Sequence, residues 1–138
     1  MRPTLSPDYR PSEDEEFMNP MQLEYFRQKL LRWRAELLAE SNETLQHLKE
    51  ESLLNPDLTD RASAETERAI ELRTRDRERK LIAKIDAALQ RIEDGSYGFC
   101  EETGEPIGLA RLEARPTATL SVEAQERHER RERVHRDD

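Results

Sequence analysis

Residues 21–94 read MQLEYFRQKLLRWRAELLAESNETLQHLKEESLLNPDLTDRASAETERAIELRTRDRERKLIAKIDAALQRIED, without a glycine and with one proline, Pro56, close to the middle. A proline removes a backbone donor and clashes with the preceding helical turn, so it ends a helix rather than sitting inside one. The composition on either side suits helix, and the simplest chain path is two long helices joined at Pro56. In the first, Leu23, Phe26, Leu30, Trp33 and Leu37 recur at alternating spacings of three and four, a heptad seam that fades through Ser41 and Thr44 and returns at Leu48. In the second, Ile82, Ile85, Leu89 and Ile92 repeat the spacing, and Ala62, Ala69 and Ile70 are expected to face the Leu48 end. Folding the chain back at Pro56 sets the two seams side by side.

The ends of this pair carry start signals. Asn19 is a good N-cap, Pro20 suits the first helical position, and Gln22 stands at the capping-box position. Asp60 is the expected cap of the second helix. Helices of about 33 residues give a hairpin about 50 Å long. Such a pair buries one stripe per helix and leaves the rest wet. That accounts for 39% charged against 34% hydrophobic residues without invoking disorder. The run Arg73–Lys80, RTRDRERK, reads as a solvated face with i, i+4 pairs such as Glu71–Arg75.

Outward from the hairpin, residues 1–19 form an arm, with Tyr9 and Phe17 available for packing, and residues 95–138 form a small globular part. All four glycines fall between Gly95 and Gly108, inside the turn-rich GSYGFCEETGEPIG. Tyr97, Phe99, Ile107, Leu109, Leu112 and Leu120 can make a small core, and a terminal helix begins near Thr119 or Ser121. Alone this is too little apolar surface for a stable domain, so it is expected to pack on the hairpin base and the arm. The fold class is mostly α: a long antiparallel coiled-coil hairpin over 20–94, its tip at 55–60, with a small globular domain.

Cys100-Glu101-Glu102-Thr103 and Ser121-Val122-Glu123-Ala124 are separated by seventeen residues, which is the spacing of a zinc ribbon. Three of the four thiolates are missing. Thr103, Ser121 and Ala124 offer no soft ligand, so the segment reads as a degenerate, metal-free ribbon, and no cofactor is expected. Cys100 lies beside Phe99 and two glutamates, a setting expected to raise its pKa and to make a reactive redox thiol improbable. A single cysteine allows no intrachain disulfide and suits a reducing compartment. The N-terminus has no apolar core of a secretory signal, and no stretch approaches the roughly 20 apolar residues of a membrane span. A soluble, cytoplasmic protein is expected. The net charge of −8 disfavours non-specific nucleic-acid binding. No phosphate loop or nucleophile–base pair is present, and His47, His128 and His135 are scattered, so no independent enzyme is expected.

YRPSEDEEFMNPMQLEYFRQKLL, PDLTDRA, ELRTRDRERKLIAKI and YGFCEETGEPIGLARLEARPTA span most of the chain. Through them it resembles the DksA/TraR family of bacterial RNA polymerase-binding transcription factors, and the reduced ligand set resembles its zinc-independent variants. The resemblance implies a factor that binds polymerase without reading a promoter sequence and enters the secondary channel with its hairpin tip. Together with the alarmone guanosine tetraphosphate (ppGpp), it would change the stability of promoter open complexes in the stringent response. It places the channel tip at Asp57, Asp60 and Ala62, and the alarmone contacts at Lys84 and Arg115. A third basic position of the pattern falls on neutral Gln125, which weakens the expected alarmone site, with Arg111 a candidate to compensate. The alternative is a Gre-like factor, whose acidic tip holds Mg²⁺ and stimulates transcript cleavage. A plain helical scaffold is a further alternative. A heptad closed within one chain suits a monomer. The missing ligands would suit a factor that serves when zinc is scarce.

Overall fold

The computed structural model describes residues 2–54 and 58–137. Four helices follow one another: α1 (Pro20–Leu54), α2 (Leu58–Asp94), α3 (Leu109–Ala114) and α4 (Val122–Asp137). Among the described residues there is no strand, only an isolated antiparallel bridge between Phe99 and Pro106. The chain forms two compact units, one of Met1–Leu30 with Ala87–Asp138 and one of Leu31–Asp86. The division runs through both long helices.

The start of α1 is capped as its sequence predicts. Asn19 Oδ1 accepts from the N–H groups of Met21 at 2.9 Å and Gln22 at 3.0 Å. The return bond of the capping box is displaced by one residue: fully buried Gln22 accepts the Met18 N–H at 2.8 Å. The start of α2 differs from expectation. Helical backbone begins at Leu58, so Asp60 is the third residue of α2 and not its cap. Pro56 lies outside the described residues.

In the Leu31–Asp86 unit the helices run antiparallel. Arg34 Nε donates to Asp86 Oδ1 at 2.7 Å, and His47 Nδ1 lies 2.8 Å from Glu71 Oε1. As the α1 number rises, the α2 number falls. Leu37 and Ile85 are buried, and Trp33, Ser41 and Thr44 are half-buried on α1. On α2 the half-buried or buried stripe is Ala64, Arg68, Glu71, Arg75, Glu78, Ile82 and Ile85. This spacing of four and three keeps the heptad, but its upper part is polar. Ala62 and Ala69 are exposed and Ile70 is 55% exposed, so the seam expected from them is not the one formed. A single phase runs down the helix from Ile82 and Ile85, and it carries polar residues inward at Arg75 and Glu78. The Arg73–Lys80 run is therefore not wholly a solvated face. Arg75 Nε, Glu78 Oε2 and Glu71 Oε2 are buried without a hydrogen-bond partner. Glu71 reaches His47 across the pair rather than Arg75 along the helix. The outer face does carry the expected kind of pair, Asp76 with Lys80 at 3.2 Å.

The other unit has its own core. Phe26, Leu30, Ala88, Tyr97, Leu112 and Ala124 are completely buried there. Tyr97 packs on Phe26 with centroids 5.7 Å apart, and the arm adds Phe17 edge-on to Phe99 at 5.4 Å and Tyr9 to Tyr25 at 6.2 Å. Tyr9 also donates its hydroxyl to Glu15 at 2.7 Å, which folds the arm on itself. α4 is capped by Ser121, whose Oγ accepts the Ala124 N–H at 3.2 Å.

Candidate functional site

Three places carry the residues singled out by sequence. The first is the junction of the long helices. α1 ends at Leu54 and α2 begins at Leu58, so the backbone of Asp60 belongs to the opening turn of α2. Asp57 and the side chain of Asp60 lie outside the described residues. Ala62 is exposed on α2.

The second group is two basic residues, one in each unit. Lys84 is exposed on α2 in the Leu31–Asp86 unit, and Arg115 is exposed at the end of α3 in the other unit. Among the described residues neither side chain has an ion-pair or hydrogen-bond partner, in contrast to Lys29, Arg34 and Lys80, which are all paired. Glu113, the sequence neighbour that might have neutralised Arg115, is held by Lys29 instead. Arg111 is half-buried and donates its Nε to the Leu120 carbonyl at 2.9 Å, which commits that donor to the fold. Gln125 is half-buried and reaches Glu129 at 3.4 Å.

The third place is the ribbon-like turn. The four ligand-spaced positions do come together. The Cys100 sulfur receives the Thr103 hydroxyl and the backbone N–H groups of Ser121, Thr103 and Glu102. Around it, Cys100 N–H donates to Glu105 at 2.8 Å, Gly104 N–H to Cys100 at 2.9 Å, Glu101 N–H to Thr119 at 2.9 Å and Ile107 N–H to Gly98 at 2.8 Å. The Thr103 and Ser121 hydroxyl oxygens accept from Glu105 and Ala124 at 3.2 Å each. Where a zinc ribbon is closed by metal–sulfur bonds, this turn is closed by hydrogen bonds around one sulfur. The donor set does not fit zinc, which needs four soft or imidazole ligands for a structural site. Here there is one thiol, two hydroxyls already engaged and one methyl group. Among the described residues no group of three His, Cys, Asp or Glu side chains is arranged to hold a metal.

The thiol itself corrects the sequence expectation. Cys100 is 3% exposed, and burial pushes its pKa up. The Thr103 hydroxyl and the N–H groups of Ser121, Thr103 and Glu102 outweigh burial and bring it from 9.0 down to about 6. The glutamates that seemed to oppose a thiolate are exposed, and the Glu102 carboxylate is turned to His128 on α4. The sequence also gave no sign of the Lys29 tether to Glu113 or of the buried Tyr97 hydroxyl donating to the Pro116 carbonyl at 2.8 Å. Both join residues far apart in the chain.

Comparison with known proteins covers nearly all of these elements. Residues 22–92 match the family model described as DnaK suppressor protein DksA, N-terminal domain, and residues 95–130 match the prokaryotic dksA/traR C4-type zinc finger. The chain is 77% identical to the RNA polymerase-binding transcription factor DksA of Caulobacter vibrioides over 95% of this chain and 92% of that protein. It is 46% identical to the protein of the same name from Escherichia coli K12, over 91% of this chain and 83% of that one. Among solved structures, transcription factor DksA2 from Pseudomonas aeruginosa matches with a TM-score of 0.80 and 50% identity, covering 85% of this chain and 90% of that chain.

Proposed function

The chain belongs to the DksA family, and on that premise we propose that it is an RNA polymerase-binding transcription factor that acts by inserting the acidic junction of α1 and α2 into the polymerase secondary channel. The observation that supports this reading is the antiparallel α1–α2 pair, with Asp57 and Asp60 falling in sequence where α1 gives way to α2. Two carboxylates at the end of a helix pair are repelled by a nucleic-acid strand and attracted to cationic protein groups. Asp57, Asp60 and Ala62 form the working tip. The protein acts as a cytoplasmic monomer, needs no promoter sequence of its own and catalyses no reaction. The relatives bear the names of transcription factors, so transcript cleavage in the manner of Gre factors is not favoured.

Lys84 and Arg115, exposed and unpaired among the described residues, contact guanosine tetraphosphate where the factor meets polymerase. Arginine's planar fork and lysine's point charge both suit a multiply charged phosphate ligand. With neutral Gln125 at the third position and Arg111 Nε committed to Leu120, the alarmone response is weaker than a three-cation site would give. The hydrogen-bonded turn around Cys100 lets the factor work without zinc.

The test is the open-complex lifetime on a ribosomal RNA promoter, measured with purified polymerase, with the protein absent, present, and carrying Asp57→Asn and Asp60→Asn. Asparagine retains hydrogen bonding and removes charge. A shortened lifetime that is lost in the double variant supports the reading. An unchanged lifetime with shortening of RNA in stalled complexes would replace it with the cleavage mechanism.

A further inference from the structure

Around Arg115 the backbone is fixed while the side chain is left open. The Arg115 N–H donates to Arg111 at 2.7 Å, and the Arg115 carbonyl accepts the Ala118 N–H at 3.0 Å. The next carbonyl, of buried Pro116, accepts the hydroxyl of completely buried Tyr97. Upstream, Lys29 Nζ on α1 makes a two-point contact with one residue of α3. It donates to the Glu113 main-chain carbonyl at 2.9 Å and to Glu113 Oε2 at 2.5 Å.

That contact meets a specific need. α3 has only six residues, and carbonyls in the last turn of a helix lack intrahelical partners. So short a helix has little stability of its own and takes its position from tertiary tethers. An ammonium at the C-terminal end also opposes the negative end of the helix dipole. Burial pushes the Glu113 pKa up, but hydrogen bonds from Lys29 and Tyr25 and the charges of Lys29 and Arg10 outweigh it and hold the carboxyl below the usual range. The anchor is therefore ionised in neutral solution. Two residues further on stands Arg115, exposed and with no side-chain partner among the described residues.

We infer that Lys29 is a positioning residue for Arg115: by clamping the last turn of α3 through Glu113, it fixes the backbone from which the Arg115 side chain reaches a phosphate ligand. This rests on the reading of Arg115 as an alarmone contact. A backbone fixed before binding removes part of the ordering cost of binding. Lys29 itself never touches the ligand.

The experiment titrates guanosine tetraphosphate into polymerase with the full-length factor and follows open-complex lifetime for wild type, Lys29→Met, Lys29→Arg, Glu113→Gln and Arg115→Ala. Lys29→Met keeps the apolar stem and removes the clamp. It is expected to require roughly 3- to 10-fold more alarmone for half-maximal effect, while shortening the lifetime without alarmone as well as wild type does. Glu113→Gln should shift in the same direction, and Lys29→Arg should return toward wild type. If Arg115→Ala shifts the titration and Lys29→Met does not, the positioning role is overturned and the alarmone reading stands. If Lys29→Met weakens the effect equally with and without alarmone, its role is structural and the inference is again overturned. If Arg115→Ala leaves the titration unmoved, the alarmone reading fails and the inference falls with it.

Discussion

The Met18 Cγ lies 2.8 Å from the position that a Cβ on Gly98 would occupy, with Met18 Sδ at 3.0 Å. Both residues have positive φ, 57° at Met18 and 91° at Gly98. The arm is thus laid directly over the backbone that opens the ribbon-like turn. Gly98→Ala should destabilise the protein by about 1–3 kcal/mol, because it adds backbone strain to a clash. Thermal melting checks this. A Met18→Ala, Gly98→Ala double variant should recover the steric part of the loss and keep the strain. A single variant that melts like wild type would show that the arm does not hold this position.

The polar stretch of the helix pair offers a stability gain. Arg75 Nε and Glu78 Oε2 are buried and unpartnered. Removing such groups in favour of apolar side chains relieves a desolvation cost. Arg75→Leu with Glu78→Leu should raise unfolding stability by ~1–2 kcal/mol, measured by denaturant midpoint with an unchanged slope. A lower midpoint would mean that these groups find partners in solution.

Chelation should leave the protein folded. Thermal melting with and without a strong zinc chelator is expected to coincide, and the purified protein to carry zinc well below one equivalent. A melting point that drops on chelation would refute the hydrogen-bonded closure of the turn.

Cys100 sets a pH dependence whose sign is fixed by its lowered pKa. The folded-state value of about 6 lies below the ordinary 9.0, so the thiol's contribution to stability is complete above the ordinary value and is lost as pH falls through 6. Stability should therefore rise between these limits in wild type and rise less in Cys100→Ala. Thiolate ultraviolet absorbance in the folded protein should titrate at the lower value. Because the sulfur is almost fully covered, alkylation should stay slow even where it is ionised.

Much of the fold was legible because it rests on local rules. Asn19 and Ser121 cap helices as residues of their type do, and Phe26, Leu30, Leu37 and Ile85 are buried where the heptad puts them. The upper part of α2 was misread because apolar residues were taken to mark the seam. The phase is set by the strong contacts at Ile82 and Ile85, and it turns Ile70 outward and Glu71 inward. The thiol was misread for a related reason. Sequence shows that Glu101 and Glu102 adjoin Cys100, but only the folded turn shows the Glu102 carboxylate turned to His128 while N–H groups face the sulfur. The tip acids and the basic residues Lys84 and Arg115 came from resemblance, since a loop carboxylate or a surface cation has no local signature. The Lys29–Glu113 clamp had none either, because it joins positions 84 residues apart.

One unit is assembled from both ends of the chain, Met1–Leu30 and Ala87–Asp138, with the other lying wholly between them in sequence. The order of synthesis therefore runs against the order of packing. The first thirty residues leave the ribosome with Phe26 and Leu30 uncovered, and Tyr97, which packs on Phe26, follows only after the helix pair has been translated, as do the other core residues Ala88 and Leu112. At roughly 5–20 residues per second, that wait lasts several seconds. The inner helices can zip together meanwhile, so the nascent protein acquires the Leu31–Asp86 unit before the unit that carries the turn and the arm.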